Sequence, residues 1–106
     1  LQSGDKSKTA EEETNPAKVS RAGLELYSQC ADDLAVAYWE NAARMYKNMQ
    51  RWELAAVNLG KTGYAYESNG YPERAKKAYQ EAAELYRKVG NEEKAKDFDA
   101  LVKQLD

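Results

Sequence analysis

Residues 42–56 read AARMYKNMQRWELAA, and residues 82–96, forty positions later, read AAELYRKVGNEEKAK. Both stretches begin with two alanines, carry tyrosine as their fifth residue and alanine as their fourteenth, and stay aligned without any insertion or deletion. Gly23 and Gly63 are separated by the same distance. Spacing that stays unbroken in this way predicts a repeated helical hairpin of about 40 residues.

The two helices of each hairpin are similar to one another, because a shift of 20 residues aligns further positions. One column holds only alanine: Ala35, Ala55, Ala75 and Ala95. A second column holds small residues (Gly23, Ala43, Gly63, Ala83), and a third holds bulky residues (Trp39, Leu59, Tyr79). The helix-end column holds Leu26, Tyr46, Tyr66 and Tyr86, and four residues after the last three come Gln50, Gly70 and Gly90. Small side chains let neighbouring helices approach to about 8–10 Å, and bulky ones fill the adjacent grooves. The columns therefore predict hairpins that stack into a short superhelix and do not close into a four-helix bundle.

Capping residues predict where the helices begin. Asn15 before Pro16 is a typical helix start, because asparagine accepts a hydrogen bond there and proline needs no partner at the first helical position. Acidic pairs at 32–33 and 92–93, and the Pro72-Glu73 pair, favour the later starts. We predict five helices, the first running to Cys30, with short links that make neighbours antiparallel. The expected fold class is all-α.

The first 15 residues differ in composition from the rest of the chain. Leu1 and Ala10 are their only apolar side chains, which are too few to offset the entropy lost when a backbone is ordered. We therefore expect a flexible N-terminal tail over residues 1–15 and a helical repeat domain over residues 16–106. Because the chain begins with leucine and not methionine, we also expect the natural protein to be longer.

The composition argues against several function classes. The 106 residues include no histidine and one cysteine, so histidine-based catalysis is excluded. Cys30 is expected to be a structural, half-buried thiol in a reducing, cytoplasmic setting. Sixteen basic and eighteen acidic residues give a net charge of −2, which is unlike a nucleic-acid binder, and no apolar run reaches the roughly 18 residues of a membrane span. We expect no enzymatic activity, no cofactor and no metal.

One string, Gly60-Lys61-Thr62-Gly63, is superficially similar to a phosphate-binding loop. It lacks the first glycine of that motif, and it lies within a predicted helix with no preceding strand. We interpret its two glycines as points where a neighbouring helix approaches closely.

The chain resembles the tetratricopeptide-repeat superfamily. The residues that carry the resemblance are Gly63, Tyr66, Gly70, Ala75, Tyr79 and Ala82 over 56–89, and Gly23, Tyr27, Ala35, Trp39 and Ala42 over 16–49. In their pattern of aromatic and alanine positions, the two quoted stretches are most similar to the repeats of soluble NSF attachment proteins. The resemblance implies antiparallel hairpins stacked as a right-handed superhelix, and a protein-binding scaffold with a concave groove. The superfamily positions that can hold a carboxylate clamp are Ser20, Leu24, Gly60 and Tyr64 here, so binding of chaperone tails is not expected.

The resulting hypothesis is a non-catalytic adaptor that binds a peptide or helical protein partner through its concave face. The candidate partner-binding residues combine cations with aromatic and small side chains: Arg21, Tyr27, Val57, Lys61, Tyr64 and Ser68. An aromatic residue beside a lysine is typical of a binding hot spot. The alternative is self-association, or membership of a longer array as in a vesicle-trafficking adaptor, through an open C-terminal end that carries Leu101, Val102 and Leu105.

Overall fold

A computed structural model describes residues 15–106, of which 84% lie in helices and none in strands. The five helices are α1 (Pro16–Ser28), α2 (Asp32–Asn48), α3 (Trp52–Ser68), α4 (Pro72–Lys88) and α5 (Glu92–Gln104). Asn15 caps α1, since its Oδ1 accepts a hydrogen bond of 2.9 Å from the backbone N–H of Ala17. The prediction of an all-α helical repeat with five helices is confirmed. The predicted tail, apart from Asn15, lies outside the described residues.

Four identical turns explain the 20-residue spacing. In each turn one residue adopts a left-handed backbone conformation, with φ of +64° at Cys30, +60° at Gln50, +84° at Gly70 and +80° at Gly90. The next backbone N–H then donates to the carbonyl of the helix-end column, at 2.8–2.9 Å, as in Ala31 to Leu26 and Tyr71 to Tyr66. This is the Schellman arrangement, which satisfies the last carbonyls of a helix. Helices α1 to α4 therefore each end at a position fixed by local hydrogen bonds.

The small and bulky columns meet between consecutive helices. A Cβ built on Gly23 would lie 2.6 Å from Nε1 of Trp39, and one built on Gly63 would lie 2.5 Å from Cε1 of Tyr79. Real Cβ atoms do not approach so closely, so each ring occupies the space that a larger residue would need. The odd-numbered helices thus carry a glycine where the ring of the following even-numbered helix packs.

The alanine column lies at the centre of the helix contacts. Its members are completely buried: Ala35, Ala55, Ala75 and Ala95. Ala55 and Ala95 belong to an apolar cluster in which Tyr46, Leu59 and Tyr86 are also buried, and Ala35 belongs to a second cluster with Trp39. Close packing of this kind leaves no room for additional methylene groups without displacement of neighbours.

The helices form an open stack. The principal helix contacts join sequence neighbours, α1 to α2, α2 to α3, α3 to α4 and α4 to α5, whereas a closed bundle would also pack its first helix on its fourth. The described residues extend over 47 × 30 × 16 Å. Side chains of α1 and α5 nevertheless reach α3 from its two sides, through Tyr27 to Tyr64 and Phe98 to Gly60. One side of the stack is therefore built by α1, α3 and α5.

Two expectations for the first turn are wrong. The first helix ends at Ser28 and not at Cys30, because Cys30 takes the left-handed position of the turn. The Cys30 side chain is exposed and not half-buried, since a residue at that position points away from the helix contacts. Leu101, Val102 and Leu105 at the C-terminal end are each partly buried.

Candidate functional site

A cavity of about 470 Å³ opens on the side formed by α1, α3 and α5, and we call it the groove. Its lining residues are mostly apolar or aromatic: Leu24, Tyr27, Trp39, Val57, Gly60, Lys61, Tyr64, Tyr86, Lys94 and Phe98. Ligand sites in proteins are usually cavities of about 300–1,000 Å³ with apolar walls and few polar groups. The groove has both properties.

An aromatic wall forms the α1 side of the groove. The rings of Tyr27 and Tyr64 meet edge to face with centroids 6.4 Å apart, and Tyr27 also lies 5.5 Å from Trp39. The Trp39 indole N–H donates to the carbonyl of Ser20 at 3.1 Å. Because this donor is already satisfied, Trp39 presents its ring and not a free polar group to the groove. Tyr64 is 58% exposed and is thus available to a binding partner.

The opposite side of the groove is formed by α5. A Cβ on Gly60 would lie 2.8 Å from Cζ of Phe98, so Phe98 sits directly over the glycine. Phe98 stacks on Tyr86 with centroids 5.7 Å apart and an interplanar angle of 15°. Burial raises the pKa of Tyr86, first by desolvation and then through the charge of Glu53. Phe98 and Tyr86 together line this side of the groove.

A second cavity, of about 300 Å³, continues the groove towards the start of α1. The two cavities share Leu24, Val57 and Lys61, and the second one also contains Arg21. Lys61 lies between them, with its Nζ 3.4 Å from Oγ of Ser20 on α1. Together the cavities form a continuous strip along α1 and α3.

The charged residues that line the strip are all positive. Its charged lining residues are Arg21, Lys61 and Lys94, with no carboxylate among them. Within residues 15–106 none of these three cations forms an ion pair. Three cations elsewhere form ion pairs, Lys47 with Glu81, Lys76 with Glu73 and Asp106, and Arg87 with Glu92 and Asp99, whereas exposed lysines such as Lys77 and Lys96 form none among the described residues. What distinguishes the strip is that cations and no carboxylates line it.

The structure brings together five of the six predicted partner-binding residues. Tyr27, Val57, Lys61 and Tyr64 line the groove, and Arg21 lines its continuation. Ser68 is exposed in the last turn of α3 but lines neither cavity. Helix α1 ends at Ser28, near the level of Tyr64, so α1 has no helical residue left to face Ser68 across the groove.

Sequence reasoning did not identify the α5 side of the site. Lys94 and Phe98 line the groove although neither belongs to an aligned column. The available signal was Gly60, because a glycine in the middle of a helix indicates that something bulky lies against it. Of the other aromatics outside the columns, Trp52 is partly buried beneath Lys88, with Nζ 4.6 Å from its ring, and Tyr71 is half exposed.

The titratable groups that line the strip are lysine, arginine and tyrosine. The Ser20 hydroxyl accepts the hydrogen bond of 3.4 Å that Lys61 Nζ donates. In the part of the chain that the structure describes, no three carboxylate or thiol side chains are grouped so that they could hold a metal ion. None of the helices among residues 15–106 is both long and apolar enough to cross a bilayer.

Comparison with known proteins gives one match. The family model of the soluble NSF attachment proteins matches residues 2–105. No curated protein and no solved structure matches the chain.

Proposed function

Since this chain belongs to the soluble NSF attachment protein family, we propose that it is a non-catalytic adaptor that binds a protein partner through the groove. The family consists of helical adaptors of vesicle trafficking, which bind other proteins and catalyse no reaction. For this chain we propose the same use, in the cytoplasm, without a cofactor and without nucleic acid. The proposed binding residues are Arg21, Tyr27, Val57, Lys61 and Tyr64, with Ser68 at the edge.

The observation that carries the proposal is the groove itself. Exposed Tyr64 and Leu24 lie beside unpaired Lys61 in a cavity whose other walls are aromatic. Tyrosine and cations are enriched at the energetic centres of protein interfaces, because they combine apolar area with polar contacts. A stack of helices that leaves such a cavity open on one side is suited to a peptide or helix as its ligand.

The test is a double variant, Lys61→Ala with Tyr64→Ala, measured against SNARE proteins, the partners known for the family, by isothermal titration calorimetry. We expect the affinity to fall about thirtyfold, as for loss of one interface hot spot. The matched control is Lys77→Ala with Tyr71→Ala, which removes an exposed lysine and an exposed tyrosine outside the groove. Circular dichroism and thermal melting should be the same for both double variants. Equal affinities for the two would refute the assignment of the groove.

The self-association hypothesis is tested in the same preparation. Light scattering at high protein concentration reports whether the 12.0 kDa chain is a monomer. A concentration-dependent rise in mass that Leu105→Glu abolishes would support self-association through the C-terminal end. A constant monomer mass would exclude it.

A further inference from the structure

We propose that the groove is a socket for one bulky apolar side chain, carried by a partner helix that has carboxylates one turn before and after that side chain. The proposal deepens the proposed function, on which it rests, by specifying the chemistry of the partner segment. Its evidence is the shape of the groove, its rigidity and its charge.

The shape favours insertion of a side chain. The groove holds about 470 Å³ between two rims, α1 with Leu24 and α5 with Phe98, while α3 contributes Val57 at its centre. Gly60 leaves the space that the Phe98 ring occupies, so Phe98 lies against α3 and forms one wall of the groove. A concave apolar cavity of this kind accepts a protruding side chain, whereas a flat patch accepts a broad surface.

The walls of the socket are already in place. Trp39 is buried behind Gly23 and its indole N–H is bonded to Ser20, so its ring has one position. Phe98 is partly buried and packs against both Tyr86 and Tyr79, with both centroid distances at 5.7 Å. A preformed cavity does not lose side-chain entropy when it is occupied, which favours tight binding of an anchor.

Charge complementarity identifies the flanks of the anchor. Lys61 reaches towards α1, where its Nζ meets Ser20, and Lys94 belongs to α5, so the two cations lie on opposite sides of the socket. Neither is paired with a carboxylate among the described residues. Carboxylates one turn before and one turn after the anchor are about 11 Å apart along the axis of the partner helix. In a partner helix that lies across the socket, one carboxylate faces Lys61 on the α1 side and the other faces Lys94 on α5.

The probes are three fluorescein-labelled, alanine-based peptides of about 16 residues, long enough to form helix. The first has phenylalanine at its centre with glutamate one turn before and after it. The second replaces both glutamates by lysine, and the third replaces the phenylalanine by alanine. Binding is measured by fluorescence anisotropy with the full chain.

We expect the first peptide to bind about tenfold more tightly than the lysine peptide, by electrostatic complementarity, and about thirtyfold more tightly than the alanine peptide, by loss of the anchor. The preference over the lysine peptide should shrink in high salt, because salt screens exposed charges. Equal binding of the phenylalanine and alanine peptides would overturn the socket.

Variants of the chain locate the binding. Val57→Trp fills the socket from a partly exposed position and should abolish binding of the first peptide while the helical circular dichroism is kept. Lys94→Glu should weaken binding, whereas Lys96→Glu, an exposed lysine on the same helix outside the groove, should not. Undiminished binding to Val57→Trp would overturn the proposal.

The outcome is separable from that of the proposed function. If SNARE proteins bind in a Lys61- and Tyr64-dependent manner but no peptide shows anchor dependence, the socket is wrong and the adaptor function stands. If the first peptide binds through the socket and SNARE proteins do not bind, the socket stands and the proposed partner is wrong.

Discussion

Replacement of Gly63 by alanine tests the packing rule on which the stack depends. The added methyl group would lie 2.5 Å from Cε1 and 2.6 Å from Cδ1 of Tyr79. The Tyr79 ring is fully buried, and its hydroxyl donates to Oε1 of Glu67 at 2.8 Å. The ring therefore cannot turn aside without the loss of that hydrogen bond and of its contact with Phe98.

The expected loss of stability follows from two opposing terms. Insertion of a methyl group into a packed core costs about 1–3 kcal/mol, and the upper value applies to a ring held on several sides. Alanine in place of glycine within a helix returns about 1 kcal/mol. Gly63→Ala should thus lower the free energy of unfolding by about 2 kcal/mol, which corresponds to a fall in Tm of about 8–16 °C for a domain of this size.

A second substitution should rescue the first. Twenty residues earlier, the positions equivalent to Gly63 and Tyr79 hold Ala43 and Leu59, both buried. Tyr79→Leu alone leaves a cavity and should cost about 2 kcal/mol. In the double variant the alanine and the leucine should fit each other as Ala43 and Leu59 do between α2 and α3. The double variant should therefore lose less unfolding free energy than the sum of the two single losses, by more than 1 kcal/mol.

The assay is urea denaturation followed by circular dichroism, with thermal melting as a second readout. Gly60→Ala is the matched control, because it makes the same change in the same helix against Phe98, which is only partly buried and meets the new atom with the tip of its ring. Gly60→Ala should lower the free energy of unfolding by less than about 1 kcal/mol, since the better helix propensity of alanine offsets the cost of the contact with Phe98. Additivity of Gly63→Ala and Tyr79→Leu within about 0.5 kcal/mol would refute the reasoning.

The turns, the buried tyrosines and the ion pairs of α5 each give a further prediction. Gln50→Gly should raise the free energy of unfolding by about 0.5–1 kcal/mol in urea titrations, because Gln50 has a φ of +60° that glycine adopts without strain; no gain here would argue against strain in the turn. Burial, followed by the hydrogen bond to Glu67, raises the pKa of Tyr79. Its contribution to the free energy of unfolding is therefore fully present below the unfolded tyrosine pKa of about 10 and is lost as the pH rises above that value. Between pH 8 and pH 11, the urea midpoint should fall less steeply in Tyr79→Phe than in the unsubstituted chain. The hydrogen bond from Arg87 lowers the pKa of Asp99, so the contribution of this pair to the free energy of unfolding is present above the unfolded carboxyl pKa of about 4 and is lost as the pH falls. Asp99→Asn should cause a small loss of stability at pH 7 that disappears at pH 2, and a loss that persists at pH 2 would have another origin.

The helices could be predicted from the sequence because each is ended by local interactions. A Schellman turn needs only a left-handed residue and the carbonyl of a residue four positions earlier in the helix, and both recur every 20 residues. Cys30 was missed as the first member of this set, since neither its residue type nor that of Gln50 favours a positive φ. The 20-residue spacing from Gly70 and Gly90 is the signal that identifies Cys30 and Gln50 as left-handed positions.

The groove was predictable only along α1 and α3. Tyr27, Val57, Lys61 and Tyr64 share helix faces that periodicity can assign, and the structure places them in one cavity. The α5 wall depends on how far one helix reaches across another, which is a property of the stack and not of any one helix. Ser68 lies beyond the level at which α1 ends, and it lines neither cavity, so its part in binding stays a prediction.

The same packing rule that stabilises the stack also shapes the binding site. Gly23 on α1 admits the ring of Trp39 from α2, and that ring also lines the groove between α1, α3 and α5. Substitution of Trp39 changes stability and binding together, so it cannot separate the two. Val57, Lys61 and Tyr64 line the groove but belong to none of the buried core clusters. Variants at these three positions can change affinity at constant Tm, and they are the ones that can test function in this fold.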